Sequence, residues 1–388
     1  MLASAVSPLR YALGGMAALA VAMGIGRFVY TPILPGMMEQ LGLSAADAGL
    51  VASANYLGYL MGAVATAGAW AQGRERLLAL CWLSASAALC ALMAATDSFP
   101  LFLAIRFLGG VASAFVLVFV SSIVFSQLSA AGRGDLQAVH FAGVGMGIAA
   151  SSAMMAILIW MDSGWRAGWI GAAILSALGF LVAARLIDRG PILTSATSAE
   201  PPLPRERPLV LMILAYGLFG FGYIITATFL IAIVRAGGSG RLFETMVWLA
   251  TGLAAVPSVF LWNAVARRVG VVGAFGAGCV VEAVGVAASV SLGGEFGPLL
   301  GGVLLGGTFI GLTALGLQAG RQLAPRSPRL VMALMTAAFG TGQILGPIAA
   351  GFVAEWTGDF VLASVGASLV LILAGATALF SCKPPKSP

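Results

Sequence analysis

Ionisable side chains are rare within the apolar segments of this chain, and the few that occur there are the first candidates for chemistry. Arg27 stands in the first apolar segment and Arg106 in the fourth, and no acid falls inside the first six segments. A charge in hydrocarbon is costly unless it faces a partner or water, so each is a functional candidate. Since a guanidinium fork suits carboxylate or phosphate, we expect these arginines to bind an anion. The alternative is that they bond backbone carbonyls or reach acids in nearby loops.

Polar and aromatic residues recur at helical spacing in the same segments. Tyr30 follows Arg27 by three residues and Tyr59 follows Asn55 by four, so each pair shares a helix face. Helically spaced polar atoms in lipid should face a cavity or another helix. Interhelical hydrogen bonding accounts for each polar residue taken alone, but together these residues predict a water-filled substrate-binding cavity. Its predicted members are Arg27, Tyr30, Asn55, Tyr59, Arg106, Tyr216, Tyr223, Thr226, Gln318 and Gln343.

Two further groups could carry a proton. Glu282 is the carboxyl of the ninth apolar segment, and a carboxyl in apolar surroundings is suited to holding a proton. His140, near the start of the fifth segment, is of the residue type that titrates around neutral pH. Packing or hydrogen bonding is the alternative for both. If the ninth segment is peripheral, Glu282 lies off the pathway.

Composition excludes a soluble protein. Of 388 residues, 60% are apolar and 9% are charged, against roughly 25% charged in an ordinary soluble domain. The net charge of +6 comes from basic residues scattered between apolar segments, a pattern that excludes nucleic acid as a partner. Cys81, Cys90, Cys279 and Cys382 form no CxxC pair and the chain has one histidine, so neither a zinc site nor a disulfide framework is expected.

Apolar runs of about 20 residues predict membrane-spanning helices. The first, with Arg10 before it, lacks a small-residue cleavage site and is expected to be retained. Residues 188–207 are rich in proline, serine and alternating charge, which is typical of a linker. The predicted spans lie near residues 9–34, 46–70, 77–96, 99–126, 135–161, 165–187, 208–235, 242–266, 271–291, 296–320, 328–354 and 359–381. We therefore predict a six-helix bundle at 1–187, a linker at 188–207 and a second bundle at 208–388.

Basic residues predict the orientation. With twelve spans, 15 lysines and arginines fall on the side of the linker and both termini, and only Arg166, Arg235 and Arg241 fall on the other. The positive-inside rule then makes the termini and linker cytoplasmic in a bacterial inner membrane. The 52 glycines predict close helix packing. The pairs at four-residue spacing are Gly58 with Gly62, Gly302 with Gly306, Gly307 with Gly311, and Gly342 with Gly346.

This pattern resembles the major facilitator superfamily over the whole chain. Twelve spans, a central linker and basic loops after the second and eighth spans (Arg74, Arg76, Arg267 and Arg268) are similar to that family, in which such loops gate transport. Residues 106–110 (RFLGG) and 342–351 (GQILGPIAAG) resemble its fourth-span and glycine–proline motifs. Residues 24–32 (GIGRFVYTP), 56–60 (YLGYL) and 221–229 (FGYIITATF) resemble its YbfB/YjiJ-like group of bacterial transporters.

The chain also departs from the superfamily's usual motifs. The loop after the second span has Gln72 where an aspartate is expected, and residues 143–150 of the fifth span lack the antiporter proline. The resemblance implies an all-α fold of two pseudo-symmetric six-helix bundles. It also implies a secondary transporter.

The predicted function is alternating-access transport of a small anionic or zwitterionic solute, proton-driven or facilitative, by a monomer embedded in membrane lipid. No cofactor is expected. Walker, HExxH and GxSxG motifs are absent from the sequence, which argues against an ATP-driven pump or an enzyme. The alternative functions are multidrug efflux through a hydrophobic cavity and a membrane sensor that does not transport.

Overall fold

The computed structural model describes residues 7–67, 70–188 and 200–381, which form helices and no strand. Two short elements join them: a π-helix at Ala20–Ile25 and a 3-10 turn at Gly134–Leu136. The α-helices are α1 Pro8–Leu19, α2 Tyr30–Leu41, α3 Ala45–Ala65, α4 Glu75–Ala94, α5 Phe99–Ala130, α6 Gln137–Trp160, α7 Trp165–Leu186, α8 Arg207–Ala236, α9 Arg241–Ala255, α10 Ser258–Val269, α11 Val271–Ser291, α12 Phe296–Leu323, α13 Pro328–Thr357 and α14 Val361–Phe380.

The helices of the described ranges supply eleven candidate membrane spans, or twelve when the bent pair α9 and α10 counts as one. The first candidate span runs from Pro8 to Leu41 as one apolar segment, and it contains α1, the π-helix and α2. The eighth span bends by 48° between α9 and α10, where Pro257 interrupts the hydrogen-bond ladder. The predicted all-α membrane fold is confirmed.

Two predicted span ends were wrong. The first span continues to Leu41 because Pro32 sits in the first turn of α2, where no backbone donor is needed, and because Gly42 ends the helix in a left-handed conformation (φ 68°). The second span ends at Ala65 and not at 70. Residues 68 and 69 of the following loop lie outside the described residues.

Both described chain ends and the end of the linker lie on one side of the membrane spans, here called the linker side; the opposite surface is the far side. On the linker side Arg10 at the start of α1 pairs with Asp188 after α7, at 3.5 Å. Ser327, before α13, donates to the carbonyl of Pro201 at 2.7 Å. Residues 189–199, with Arg189, lie outside the described residues, as do Lys383 and Lys386, so the domain boundaries stay a prediction.

Glycines bring helices close within each half of the chain. At Gly58 and Gly62 a Cβ would meet backbone of α5, at Gly302 and Gly306 backbone of α9, and at Gly342 and Gly346 backbone of α8. These three predicted packing pairs are confirmed. The fourth is only half right, because Gly311 packs against α10 whereas nothing lies within 4 Å of a Cβ at Gly307.

The two halves meet mainly toward the far side, where α3 packs on α13, α6 on α9 and α2 on α8. Gly49 and Gly351 allow the first contact, since a Cβ at either position would meet backbone of the opposing helix. Toward the linker side the halves part around a cleft of about 730 Å³ lined by α5, α6, α10 and α12. The described structure is therefore sealed on the far side and open on the linker side.

Candidate functional site

Arg27 lies near the middle of the first span, Pro8–Leu41, and contacts the second half of the chain. It follows the π-helix in the turn that separates α1 from α2, and it is 3% exposed. Its guanidinium carbon stands 4.3 Å from the ring centre of Tyr59, 4.8 Å from that of Tyr56 and 5.6 Å from that of Phe28. Rings within about 6 Å attract a cation through their negative faces. An aromatic cage thus holds the charge in place.

The guanidinium reaches across to the other half of the chain. Its Nη2 donates to Oε1 of Gln343 on α13 at 2.8 Å, and Nε2 of Gln343 in turn donates to the hydroxyl of Tyr223 on α8. The Nε of Arg27 is buried without a hydrogen-bond partner. No carboxylate of the described residues forms an ion pair with Arg27. The chain thus brings together a charged donor with spare capacity, a neutral amide and a hydroxyl.

Arg106 has a different set of partners. Its Nη1 donates to the carbonyl of Gly26 at 2.9 Å and its Nη2 to that of Arg27 at 3.0 Å. These carbonyls belong to the broken turn after the π-helix, where the helical ladder leaves acceptors free. Arg106 therefore stabilises the break that positions Arg27. This is the backbone alternative weighed from the sequence, and we treat Arg106 as a positioning residue.

Tyr30 and Asn55 also bond backbone within the first half. The hydroxyl of Tyr30 donates to the carbonyl of Ala48 at 3.0 Å, and Nδ2 of Asn55 donates to that of Arg106 at 2.9 Å. Oδ1 of Asn55 is buried without a partner. These hydrogen bonds join the elements that carry the two arginines within the first half.

The remaining predicted site residues are spread along the path between the halves. Tyr216 donates to the carbonyl of Thr313 at 3.1 Å, and Thr226 is buried with its hydroxyl unpaired. Gln318 is exposed in the wall of the linker-side cleft. Tyr59 is half-buried against Arg27. The structure thus groups Arg27, Tyr59, Tyr223 and Gln343 and leaves Gln318 nearer the cleft mouth.

A group of stacked aromatic rings beside Arg27 was missed by the sequence analysis. Tyr223 lies nearly parallel to Phe309 of α12, with an interplanar angle of 12°, and to Phe339 of α13, with an angle of 13°. Phe219 and Tyr216 continue the stack on α8. In an apolar span a phenylalanine of a binding site cannot be distinguished by its residue type from one that only packs. Phe219 nevertheless lies four residues before Tyr223 and so shares its face, which could have indicated its role.

Glu282 is fully buried at the middle of α11, and neither of its carboxyl oxygens has a hydrogen-bond partner. Its α11 packs along α12 and α14, and Thr308 of α12 is a polar neighbour. The helix α11 also contacts α8, the helix that carries Tyr223.

His140 is fully buried and packed. Its Nε2 is 2.9 Å from the hydroxyl of Ser121, and the rings of Phe125 and Phe141 stand edge-on to it at 5.4 and 5.2 Å. Gly15 of α1 lies against Nδ1, where a Cβ would overlap it. These contacts favour a structural role in joining α1, α5 and α6.

The basic loop residues divide into two kinds. Arg76 donates to the carbonyls of Ile187 at 2.7 Å and Ala184 at 3.0 Å, which ties the start of α4 to the end of α7. Arg74 precedes α4 and is exposed. Arg267 lines the cleft and Arg268 is exposed next to it. Of these four loop arginines, Arg267 is the one that lines the cleft, together with Arg321 of α12.

Three arginines of the far side take part in ion pairs. Arg235 holds Glu244 with bonds of 2.8 and 2.7 Å and Glu39 of the first half at 3.1 Å. Arg241 stands 3.5 Å from Asp162, also across the halves. Arg166 pairs with Asp97 within the first half. Among the described residues no group of three His, Cys, Asp or Glu could hold a metal ion.

Solved structures share this fold. A point mutant of the nucleoside transporter NupG matches with a TM-score of 0.72 at 15% identity, covering 96% of this chain and 100% of that chain. A bacterial homologue of the human lysosomal transporter Spinster, solved inward-facing and unoccupied, matches with a TM-score of 0.69 at 14% identity, covering 96% of each. The fold is that of a major facilitator transporter, a multi-pass membrane protein.

The sequence defines the family within that class. The chain belongs to the family described as uncharacterised MFS-type transporter YbfB, whose profile matches residues 19–379. The chloramphenicol resistance protein of Streptomyces lividans is 27% identical over 239 residues, which are 60% of this chain and 60% of that protein. The match thus spans less than two thirds of the length of that curated relative. The fold and family are those of transporters and not of enzymes.

Proposed function

We propose that this protein is a secondary active transporter that moves a small organic anion or zwitterion across the bacterial inner membrane by alternating access, coupled to protons. The proposal depends on the surroundings of Arg27. This cation is 3% exposed at the boundary of the halves, its Nε is unpaired, and it has no acidic partner among the described residues. Burying an unpaired charge is costly, so an anionic ligand that takes the free edge of the guanidinium is favoured.

The contacts of Arg27 suggest how binding is coupled to movement. Its bond to Gln343 joins the first half to the second, and Gln343 joins it to Tyr223. A carboxylate that takes over the Nε–Nη2 edge displaces Gln343 from Arg27 and so alters a contact between the halves. This coupling between ligand and interface is what alternating access requires of a site between two repeats.

The orientation follows from charge. The basic residues collect on the linker side, so the positive-inside rule favours cytoplasmic termini and a cleft open to the cytoplasm. In this orientation the described state is inward-facing. Membrane lipid then surrounds the exposed apolar side chains, and we expect the chain to act as a monomer.

Glu282 is our candidate for the group that binds and releases the coupled proton. Its carboxyl is fully buried with the hydroxyl of Thr308 as a polar neighbour and no cationic partner among the described residues, so an ionised carboxyl there is costly. A proton lost from Glu282 must therefore accompany a rearrangement of α11 and α12. His140 is less favoured because Ser121 and its aromatic neighbours already account for its position.

The experiment is counterflow in proteoliposomes of the full chain with organic acids, amino acids, organic cations and neutral drugs, with and without a pH gradient. We expect saturable exchange of one or more organic anions or zwitterions, accelerated by the gradient. Exchange confined to cations or neutral drugs, or no exchange of any solute, would contradict the proposal.

Drug efflux is the second candidate, because the relative of 27% identity is a chloramphenicol resistance protein. In that case the cavity binds through apolar surface and Arg27 has a structural role. Deletion of the gene followed by growth assays with unrelated drugs separates the two. Raised sensitivity to several neutral drugs favours efflux, whereas unchanged sensitivity favours the anion transporter.

A further inference from the structure

The aromatic stack is defined as Tyr216, Phe219, Tyr223, Phe309 and Phe339. The ring of Tyr223 is inclined by only 12° to 19° to those of Phe309, Phe339 and Phe219, with centroid distances of 5.1 to 5.9 Å. Tyr216 and Phe339 stack at 4.7 Å and 19°. Five rings from α8, α12 and α13 thus form one stack, in which the paired rings are inclined to each other by 12° to 31°.

This alignment is not shared by the aromatic cluster of the first half. There Phe115 and Phe119 meet at 78°, and Trp70 meets Phe119 at 80°. Edge-to-face and offset-stacked pairs are both favourable, so packing alone does not demand parallel rings. Parallel faces that come from three different helices form a set of slots, which a flat guest can enter when the helices move apart.

The charged group and the stack are joined. Gln343 contacts both the guanidinium of Arg27 and the hydroxyl of Tyr223, and Phe28, the neighbour of Arg27, meets the ring of Phe309 at 5.6 Å. The site of an anion on Arg27 is therefore joined to the stack through one intervening side chain on each path, Gln343 to the hydroxyl of Tyr223 and Phe28 to the ring of Phe309. The stack also lies close to the entrance path: Phe309 is five residues from Ala314 of the cleft wall, a helix rise of about 7 Å.

Arg106 offers no free fork to a ligand, because both of its terminal nitrogens are bonded to the carbonyls of Gly26 and Arg27, although its Nε, like that of Arg27, is buried without a partner. The site thus offers one fork for one carboxylate and several flat apolar faces for the rest of the solute. The hydroxyl of Tyr223 provides a polar contact at the junction of these two parts.

We infer that the transported solute is an aromatic monocarboxylate, whose planar ring enters the aromatic stack beside Tyr223 and Phe309 while its carboxylate binds the Nε–Nη2 edge of Arg27. This inference rests on the proposed function, since it assumes that Arg27 binds the anion. It adds the class of the solute, which the anion site alone leaves open.

The test compares acids with the same carbon skeleton whose ring is either aromatic and flat or saturated and puckered. The purified full chain in lipid nanodiscs is titrated with three matched pairs: benzoate and cyclohexanecarboxylate, phenylacetate and cyclohexylacetate, and 2-naphthoate and its decahydro analogue. Binding is followed by equilibrium dialysis of labelled acid. Because aromatic pairs add to the affinity beyond the area they bury, we expect the aromatic member of at least one pair to bind roughly three- to tenfold more tightly.

Variants of the aromatic stack test whether it causes the preference for aromatic over saturated acids. Phe309→Leu and Phe339→Leu should bring the ratio of aromatic to saturated affinity close to one while both acids still bind. The matched control is Phe229→Leu, a buried α8 phenylalanine whose ring pairs with Phe360 outside the stack at 4.8 Å. It should keep the full ratio, which shows that loss of any buried ring is not the cause.

The outcomes separate this inference from the proposed function. If aromatic and saturated acids bind equally, and Arg27→Gln abolishes both, the aromatic class is overturned and the anion site stands. If binding of every acid is absent or insensitive to Arg27→Gln, the anion site is overturned and the inference with it. A preference that survives both Phe309→Leu and Phe339→Leu also overturns the inference.

Discussion

Two buried arginines of the same type and similar surroundings have different roles in this protein. Arg106 uses both of its terminal nitrogens on backbone carbonyls, whereas Arg27 lies in an aromatic cage and bonds the side chain of Gln343, and the Nε of each is buried without a partner. Residue type and the absence of nearby acids predicted that both were buried without an ion pair. The sequence could not show that a π-helix exposes the carbonyls of Gly26 and Arg27 to Arg106, because partners across helices are set by tertiary packing.

At the residue scale, replacing Arg106 tests its positioning role. Arg106→Met leaves two buried carbonyls without their donor, which costs roughly 1–3 kcal/mol for each buried group left unsatisfied. We expect a clearly lower midpoint of thermal unfolding in detergent. The matched control is Arg166→Met, which removes an exposed ion pair with Asp97 that is worth about 0–1 kcal/mol. Equal midpoints for the two variants would contradict this role.

Glu282 gives a second residue-scale prediction. Glu282→Gln keeps the shape of the side chain but cannot release a proton. We expect counterflow of the anion to continue while its acceleration by a pH gradient is lost, measured in proteoliposomes loaded at two pH values. His140→Gln is the comparison and should retain the acceleration. If the gradient still accelerates transport by Glu282→Gln, this carboxyl is not the coupling group.

At the scale of elements, the sequence predicted the helices well and their breaks poorly. Long apolar runs and charged boundaries located the spans because both reflect the solvent around the chain. The π-helix at Ala20–Ile25 has no comparable signature, since its residues are ordinary for an apolar helix. The first span was predicted to end near residue 34, whereas α2 continues through Pro35 to Leu41 and ends at Gly42.

The contact of α3 with α13 gives an element-scale prediction. A Cβ at Gly49 would overlap the carbonyl of Pro347, so Gly49→Ala should hinder closure of the far side. The readout is labelling of Ser53→Cys, a position 3% exposed in this contact, by an impermeant maleimide added from the far side to a chain without its native cysteines. We expect faster labelling than in the parent chain.

Gly307→Ala is the matched control for that experiment, because nothing lies within 4 Å of a Cβ there. It should label at the rate of the parent. If Gly49→Ala also labels at the parental rate, the close approach of α3 and α13 does not control the far-side seal.

At the scale of the whole molecule, the seal and the cleft lie at opposite ends of the interface between the halves. Glycine contacts and ion pairs close the far side, and the cleft of about 730 Å³ opens the linker side. The charge count predicted which loops share a side but not which acids pair with the far-side arginines. Those pairs depend on how the two halves approach one another, which local sequence does not encode.

Two arginines form ion pairs across the halves on the far side, Arg235 with Glu39 and Arg241 with Asp162. Their replacement should differ in effect, because only Arg235 also holds a buried carboxyl. Arg235→Gln leaves the 3% exposed carboxyl of Glu244 without its bidentate partner, whereas Arg241→Gln removes an exposed contact with Asp162. Removing a partner from a buried charge costs far more than removing a surface pair. With the Ser53→Cys readout, Arg235→Gln should label faster than Arg241→Gln, and the reverse order would contradict this view of the seal.

The central claim is that Arg27 binds the anionic group of the transported solute. Its most direct test is counterflow of one transported carboxylate by the parent chain, Arg27→Lys and Arg27→Gln in matched proteoliposomes. Lysine keeps the charge but not the fork, so we predict a raised KM for Arg27→Lys and loss of saturable exchange for Arg27→Gln, with both variants folded by thermal unfolding. Parental KM and rate in Arg27→Gln would contradict the claim.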